Sequence, residues 1–176
     1  MRRGEHQEPA ARAAYAAHTG QRVETSGFLR HDTLRAGCSL DGYVGAFEGV
    51  IEIKNPNSTT HLQYLLTRRV PARYRSQIRH HVWLTGAKWA DFVSFDDRLP
   101  TRLQLVIVRL WRDELDIPGY AREAEQFLAD VDAQVAPLRS LGPVAFFQTA
   151  PLDLATRVFA MCQMTVDARR RRERAA

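Results

Sequence analysis

The stretch Ser39–Asn57, SLDGYVGAFEGVIEIKNPN, constrains this chain more than any other. Strand-forming runs flank a Gly-bounded turn, so it reads as two antiparallel strands joined by a short connection. Asp41 lies on the first strand, and Glu52 and Lys54 lie on the second. Strand side chains alternate faces, which puts Glu52 and Lys54 on one face and assigns Ile51, Ile53 and Val50 to the other. If Gly45 pairs near Glu48 or Gly49, Asp41 falls opposite Glu52, or within one residue of it. Two carboxylates in that relation stand about 5 Å apart at Cβ and repel each other. A divalent cation bound between them turns the repulsion into affinity.

Asp, Glu and Lys gathered on one face of a hairpin match the pattern PD-x(n)-[DE]-x-K of metal-dependent phosphodiester nucleases. Here Leu40 stands where that pattern opens with Pro. Glu and Lys two apart are common on any solvated strand, so Asp41 at hairpin distance and the surrounding sequence make the stretch distinctive.

That surrounding sequence carries a resemblance. EPAARAAYAAHTG, VETSGFLRHDTLRAGCSLDGYVG, GVIEIKNPN and YRSQIRHHVWLTGAKWADFVSFDDRLP follow one another from Glu8 to Pro100. In content and order they resemble the YqaJ-like viral recombinase family, the group of the lambda-type alkaline exonucleases within the PD-(D/E)xK nuclease superfamily. The resemblance implies a metal-dependent deoxyribonuclease, a 5′→3′ exonuclease on double-stranded DNA in phage recombination. It also implies a single-strand annealing protein as partner and a ring trimer, a homo-oligomer. The cellular setting would be the cytoplasm of a bacterium or a phage-infected host.

The same resemblance implies the site. Asp41 and Glu52 would be metal ligands, completed by the backbone carbonyl of Ile53, with Glu8 acting from the helix ahead of them. Lys54 would orient the attacking water and stabilise negative charge. Gln77 matches the family's Gln beside the metal centre. Mg²⁺ suits a set of oxygen ligands, and Mn²⁺ should substitute. The family also carries an upstream segment that grips the terminal 5′-phosphate. Only seven residues precede Glu8 here, so the expectation is that this N-terminal segment is missing. Arg2 and Arg3 could then substitute for it. Two further readings stay open: an endonuclease of the same superfamily, and a truncated non-catalytic DNA-binding module.

Composition limits the alternatives. A chain of 176 residues can bury a real core, and two cysteines, Cys38 and Cys162, are too few for a disulfide scaffold or an iron–sulfur cluster. Nothing marks Cys38 as a nucleophile. The N-terminus lacks the apolar core of a secretory leader. LQLVIV at 103–108 is the longest apolar run and is too short to span a bilayer, so no membrane is expected. Net charge is +5, of which the tail at 167–174 holds +3, five Arg against Asp167 and Glu173.

The rest of the chain supplies elements around the hairpin. Glu8 to His18 reads as a helix with Pro9 in its first turn, where Glu8 would face the positive end of the helix dipole. Val23–Leu29 and Cys38–Val44 read as strands, with His31 in a turn. Asn57 or Ser58 caps a helix over Thr59–Thr67, on which His61 and Gln63 are surface residues. Ala72–Leu84 is a helix with Tyr74, Ile78 and Val82 along one face. His80 and His81 are adjacent on it and point apart, so they do not share one ion. Arg68, Arg69, Arg73, Arg75 and Arg79 form an acid-free cationic run, read as a phosphate-tracking DNA surface or as a solvated helix face.

Trp89–Phe95 and Arg102–Trp111 read as further strands, the second central or well covered. A helix over Pro118–Leu138 would cover the sheet through Ala121, Ala124, Phe127, Leu128, Val131 and Val135. These elements predict an α/β (α+β) domain with a restriction-endonuclease-like core, a mixed central sheet flanked by helices. That core would occupy 1–142. A C-terminal extension, 143–176, would hold a helix with Leu154, Val158, Met161, Cys162 and Val166 on one face, then the basic tail Arg169–Arg174.

Overall fold

The computed structural model describes residues 2–139, with side chains over 6–138. The C-terminal helix and basic tail expected from 143 onward lie outside the described residues. Internal contacts divide the chain into Met1–Val131 and Asp132–Ala176; of the second unit, only the last turns of one helix are described.

In chain order the elements are α1 (Arg2–Thr19), β1 (Val23–Glu24), β2 (Leu29–Arg30), β3 (Gly37–Cys38), β4 (Gly42–Val44) and β5 (Gly49–Lys54). Then come α2 (Ser58–Thr67), α3 (Ala72–Thr85), β6 (Trp89–Phe95), β7 (Leu105–Trp111) and α4 (Ile117–Arg139). Five strands form one sheet in the order β1-β4-β5-β6-β7, and β2 and β3 make a separate small hairpin. β5 and β6 are parallel and every other neighbouring pair is antiparallel. A parallel pair needs a crossover, and α2 with α3 provides it. The mixed sheet flanked by helices is the fold class expected.

The sheet has a core on each face. α1 covers one, where Ala11 and Tyr15 meet Ile51, Ile53, Val93 and Phe95. α2 and α3 cover the other, where Tyr64, Ile78 and Val82 meet Val50, Ala90 and Phe92. Val50 therefore belongs to the face of Glu52, not to that of Ile51 and Ile53. The period of two requires it, since 50, 52 and 54 are evenly spaced.

Coverage on both faces explains why all seven residues of β6 are buried, polar Asp91 and Ser94 included. Asp91 pairs with its register partner Arg109 through two 2.8 Å bonds and accepts a third, 2.6 Å long, from Tyr15 Oη. Arg109 in turn lies over the Trp89 ring at 3.7 Å. This network ties α1 to the sheet and so positions the side chains that α1 sends towards the hairpin.

Several local expectations are corrected. α1 starts at Arg2, so Pro9 and Glu8 sit inside the helix rather than in its first turn. The helix continues past the one hydrogen bond that Pro9 cannot donate. The strands expected over Val23–Leu29 and Cys38–Val44 are each broken in two. β7 is the sheet's edge strand, not a central one, and six of its seven residues are at least partly exposed.

His61 is fully buried, not on the surface: its ring nitrogens lie 2.8 Å from Ser94 Oγ and 2.8 Å from the Leu103 carbonyl, which anchors α2 to the end of β6. The sheet's faces are covered by α1 and by α2 with α3, while of α4 only its first residue, Ile117, joins the buried core. Tyr120 of α4 meets His80 of α3, and Phe127 stays exposed.

Candidate active site

The central hairpin turns through Gly45, whose φ of +60° favours glycine. Its register pairs Val44 with Gly49, Tyr43 with Val50 and Gly42 with Ile51. One step further places Asp41 opposite Glu52. Gly49 has its own reason: a Cβ there would lie 2.1 Å from the Trp89 indole, which crosses the strand at that point. The register therefore rests on two positions that only glycine fills well.

Asp41, Glu52 and Lys54 come together at the far end of this hairpin. Asp41 Oδ2 accepts from the Ile53 backbone N–H at 2.7 Å. Lys54 Nζ donates to Glu52 Oε1. Glu52 is 1% exposed, and its second oxygen, Oε2, is buried without a hydrogen-bond partner. Burial, then the charge of Asp41, raises the Glu52 pKa to about 7 in spite of Lys54; Glu8 adds to the same push. Burial also raises Asp41, against the Ile53 N–H, Lys54 and Arg12. For Lys54, burial acts downward, but Glu52 and Asp41 outweigh it and the pKa is raised. The two acids are thus an electrostatically costly pair, partly relieved by one lysine.

α1 brings Glu8 into the same field, paired with Arg12 at 3.5 Å. Arg12 also donates to the Asp41 carbonyl at 2.9 Å. Arg12 was missed in the sequence, although its position four residues after Glu8 puts both on one face of a helix.

α3 closes the other side. Lys54 Nζ sits 5.3 Å from the centre of the Tyr74 ring, and the Arg73 guanidinium lies 4.8 Å from that same ring. Arg73 also donates to Tyr64 Oη at 2.6 Å. Gln77 is exposed, between Tyr74 and His81 on that side of α3. His81 was also missed as a site residue: it is buried, with Nδ1 3.3 Å from Glu52 Oε2. His80 points away to Tyr120 Oη and the Gly37 carbonyl, so the two histidines do diverge.

The arginine run is not one surface. Arg68, Arg69 and Arg75 are exposed. Arg79 is committed: it donates to the Asp116 carbonyl at 3.0 Å and lies within 4 Å of the carboxylates of Asp116 and Glu123. Cys38 is buried near Glu52, and burial first, then Glu52, holds its thiol up at about 11, which keeps it unreactive.

The residues fit a hard cation in their donor chemistry. Asp41, Glu52 and the Ile53 carbonyl offer only oxygens, the donor set that hard cations take. Among the described residues, no three His, Cys, Asp or Glu side chains stand together in ligating geometry. Asp41 Oδ2 is turned to the Ile53 N–H and Glu52 Oε1 to Lys54. Among the same residues, no helix is long and apolar enough to cross a membrane.

The family model of the YqaJ-like viral recombinase domain matches residues 1–88. The chain belongs to this family. The match ends just before β6 and contains the hairpin, α2 and α3, so every residue of the cluster lies inside it. Among solved structures, the alkaline exonuclease LHK-Exo from Laribacter hongkongensis is 40% identical, with a TM-score of 0.74 over 79% of this chain and 72% of that one. LHK-Exo in complex with dAMP is 37% identical, with a TM-score of 0.61 over 78% and 74% of the two chains. No curated protein sequence matches this chain. The likeness to LHK-Exo extends beyond the recombinase domain, since it spans more of the chain than 1–88.

Proposed function

We propose that this YqaJ-like chain is a metal-dependent DNA nuclease that hydrolyses phosphodiester bonds from an end. The observation that carries the reading is the pair Asp41 and Glu52 across one hairpin, with Lys54 on Glu52. Such a pair costs stability unless a cation uses it. Asp41, Glu52 and the Ile53 carbonyl would hold Mg²⁺, or Mn²⁺ in its place, with Glu8 supporting from α1. The cation would supply positive charge to a phosphate oxygen and acidify a water.

The chain's own residues do the rest. Lys54 holds its ammonium at the mouth of the site, where it can orient the attacking water and meet charge developing on the phosphate. Arg73 stands beside it on Tyr74, a second cation within reach of the same backbone. Gln77 lies exposed one turn further along α3, where a bound strand would pass. Arg68, Arg69 and Arg75 extend this positive margin as phosphate contacts without sequence preference.

LHK-Exo has been crystallised with dAMP, a deoxynucleoside monophosphate. Release of such units is exonuclease chemistry, and it favours that reading here over an endonuclease or a non-catalytic DNA-binding module. Action on double-stranded DNA in the 5′→3′ direction, a role in recombination, an annealing protein as partner and a ring trimer follow from family likeness alone. The deciding assay incubates the protein and Mg²⁺ with end-labelled linear and closed-circular duplex DNA. Mononucleotides from the linear substrate alone are expected. Nicked or linearised circles would favour the endonuclease, and intact DNA in both would leave the binding module.

A further inference from the structure

α3 packs against the sheet through Ile78 and Val82, neither of them exposed. His81 lies on the same side, one turn beyond Ile78. Its side chain is 4% exposed, and Nδ1 stands 3.3 Å from Glu52 Oε2. The two atoms are close enough for a hydrogen bond but not aligned for one, and neither has another partner. Each buried polar atom left unpaired carries an uncompensated desolvation cost. A small rotation of the ring joins them and removes both penalties. Lys54, on the more open side, holds the other Glu52 oxygen. An imidazole that carries its proton on Nδ1 can donate it to a carboxylate oxygen.

We propose that His81 is a positioning residue for Glu52: with its proton on Nδ1 it donates to Oε2 and so keeps Oε1 turned towards Lys54 and Asp41. Without that hold the carboxylate can rotate, and the oxygen offered to the cleft is no longer defined. The inference rests on the nuclease reading for its functional consequence, but its structural content does not need DNA or metal.

The test has two parts. In the metal-free protein, a long-range ¹H–¹⁵N spectrum of the His81 ring should show the proton on Nδ1; a proton on Nε2 alone overturns the proposal. Then His81→Leu, which keeps bulk without a donor, is compared with His81→Asn, whose amide N–H stands near the place of Nδ1. His81→Leu should lose about 10–100-fold in cleavage and in Mg²⁺ affinity measured by calorimetry. His81→Asn should recover most of both at a similar Tm. Equal impairment of the two variants overturns it. Should His81→Leu fail to fold, His81→Gln replaces it, since its amide reaches the place of Nε2 instead. Equal behaviour of the Asn and Gln variants is then the overturning result. A parent protein that cleaves nothing would count against the nuclease reading, while the tautomer would still decide the role of His81.

Discussion

Asp41 Oδ2 accepts a hydrogen bond from the backbone N–H of Ile53 at 2.7 Å, so the first carboxylate is clamped to the strand that carries the second. The clamp keeps Asp41 and Glu52 close even though both would be charged at high pH. That enforced proximity underlies the first prediction.

Replacing Glu52 with Gln should stabilise the metal-free protein at pH 8 and do little at pH 5. The Glu52 pKa is raised to about 7 in the fold against an ordinary 4.5. The folded state therefore keeps a proton that the unfolded chain has lost, and the cost grows as pH rises from about 4.5 to 7. Gln removes that cost, which amounts to about 2 kcal/mol of difference between the two pH values. His81 contributes with the opposite sign: its lowered pKa means stability lost as pH falls from 6.5 towards 4. Urea unfolding in EDTA at pH 5 and pH 8 reads the difference. A gain independent of pH would mean that Glu52 is not a buried, raised acid.

Lys54→Met should leave the fold and Mg²⁺ binding in place and reduce cleavage by at least about a hundredfold, the scale for losing one donor to developing charge. Turnover near the parent's at saturating Mg²⁺ would remove Lys54 from the mechanism.

Arg79 and Arg75 should behave differently, although both belong to one basic run. Each lost phosphate contact lowers the slope of log affinity against log salt by about 0.9. Arg73→Ala and Arg75→Ala should each show such a loss, whereas Arg79→Ala should leave the slope alone. Arg79 is engaged by Asp116 and Glu123, so its removal acts on the packing of α4 against α3. DNA binding across a salt series separates the cases, and a flattened slope in the Arg79 variant would count against this division.

Arg109→Leu should destabilise the protein by about 3–5 kcal/mol, because it leaves Asp91 buried without its partner. Tyr15→Phe should cost less, since it removes only one of three bonds to that carboxylate. Both would be read by urea unfolding, and equal losses would refute the ranking.

How much of this was written in the chain order depends on the range of the interaction. The hairpin was legible because strand alternation and a glycine turn act over a few residues: Gly45 sets the register that brings Asp41 opposite Glu52, and a spacing of two puts Lys54 beside it. The cap at Asn57 and the extent of α3 are local in the same sense. What a residue faces across the fold is not local. His61 and Gln63 look alike on α2, yet only His61 meets the end of β6 and is buried. His80 and His81 are neighbours, and the phase of α3 against the sheet sends one to Tyr120 and the other to Glu52. Arg75 and Arg79 are one turn apart, and the place where α4 begins decides which of them is paired. The apolar run of β7 suggested a central strand, but its edge position follows from strand order, which depends on the crossover through α2 and α3. Periodicity and turn chemistry determined which side chains share a face. Tertiary packing decided what each face meets, because desolvation and pairing energies depend on partners far away in the chain.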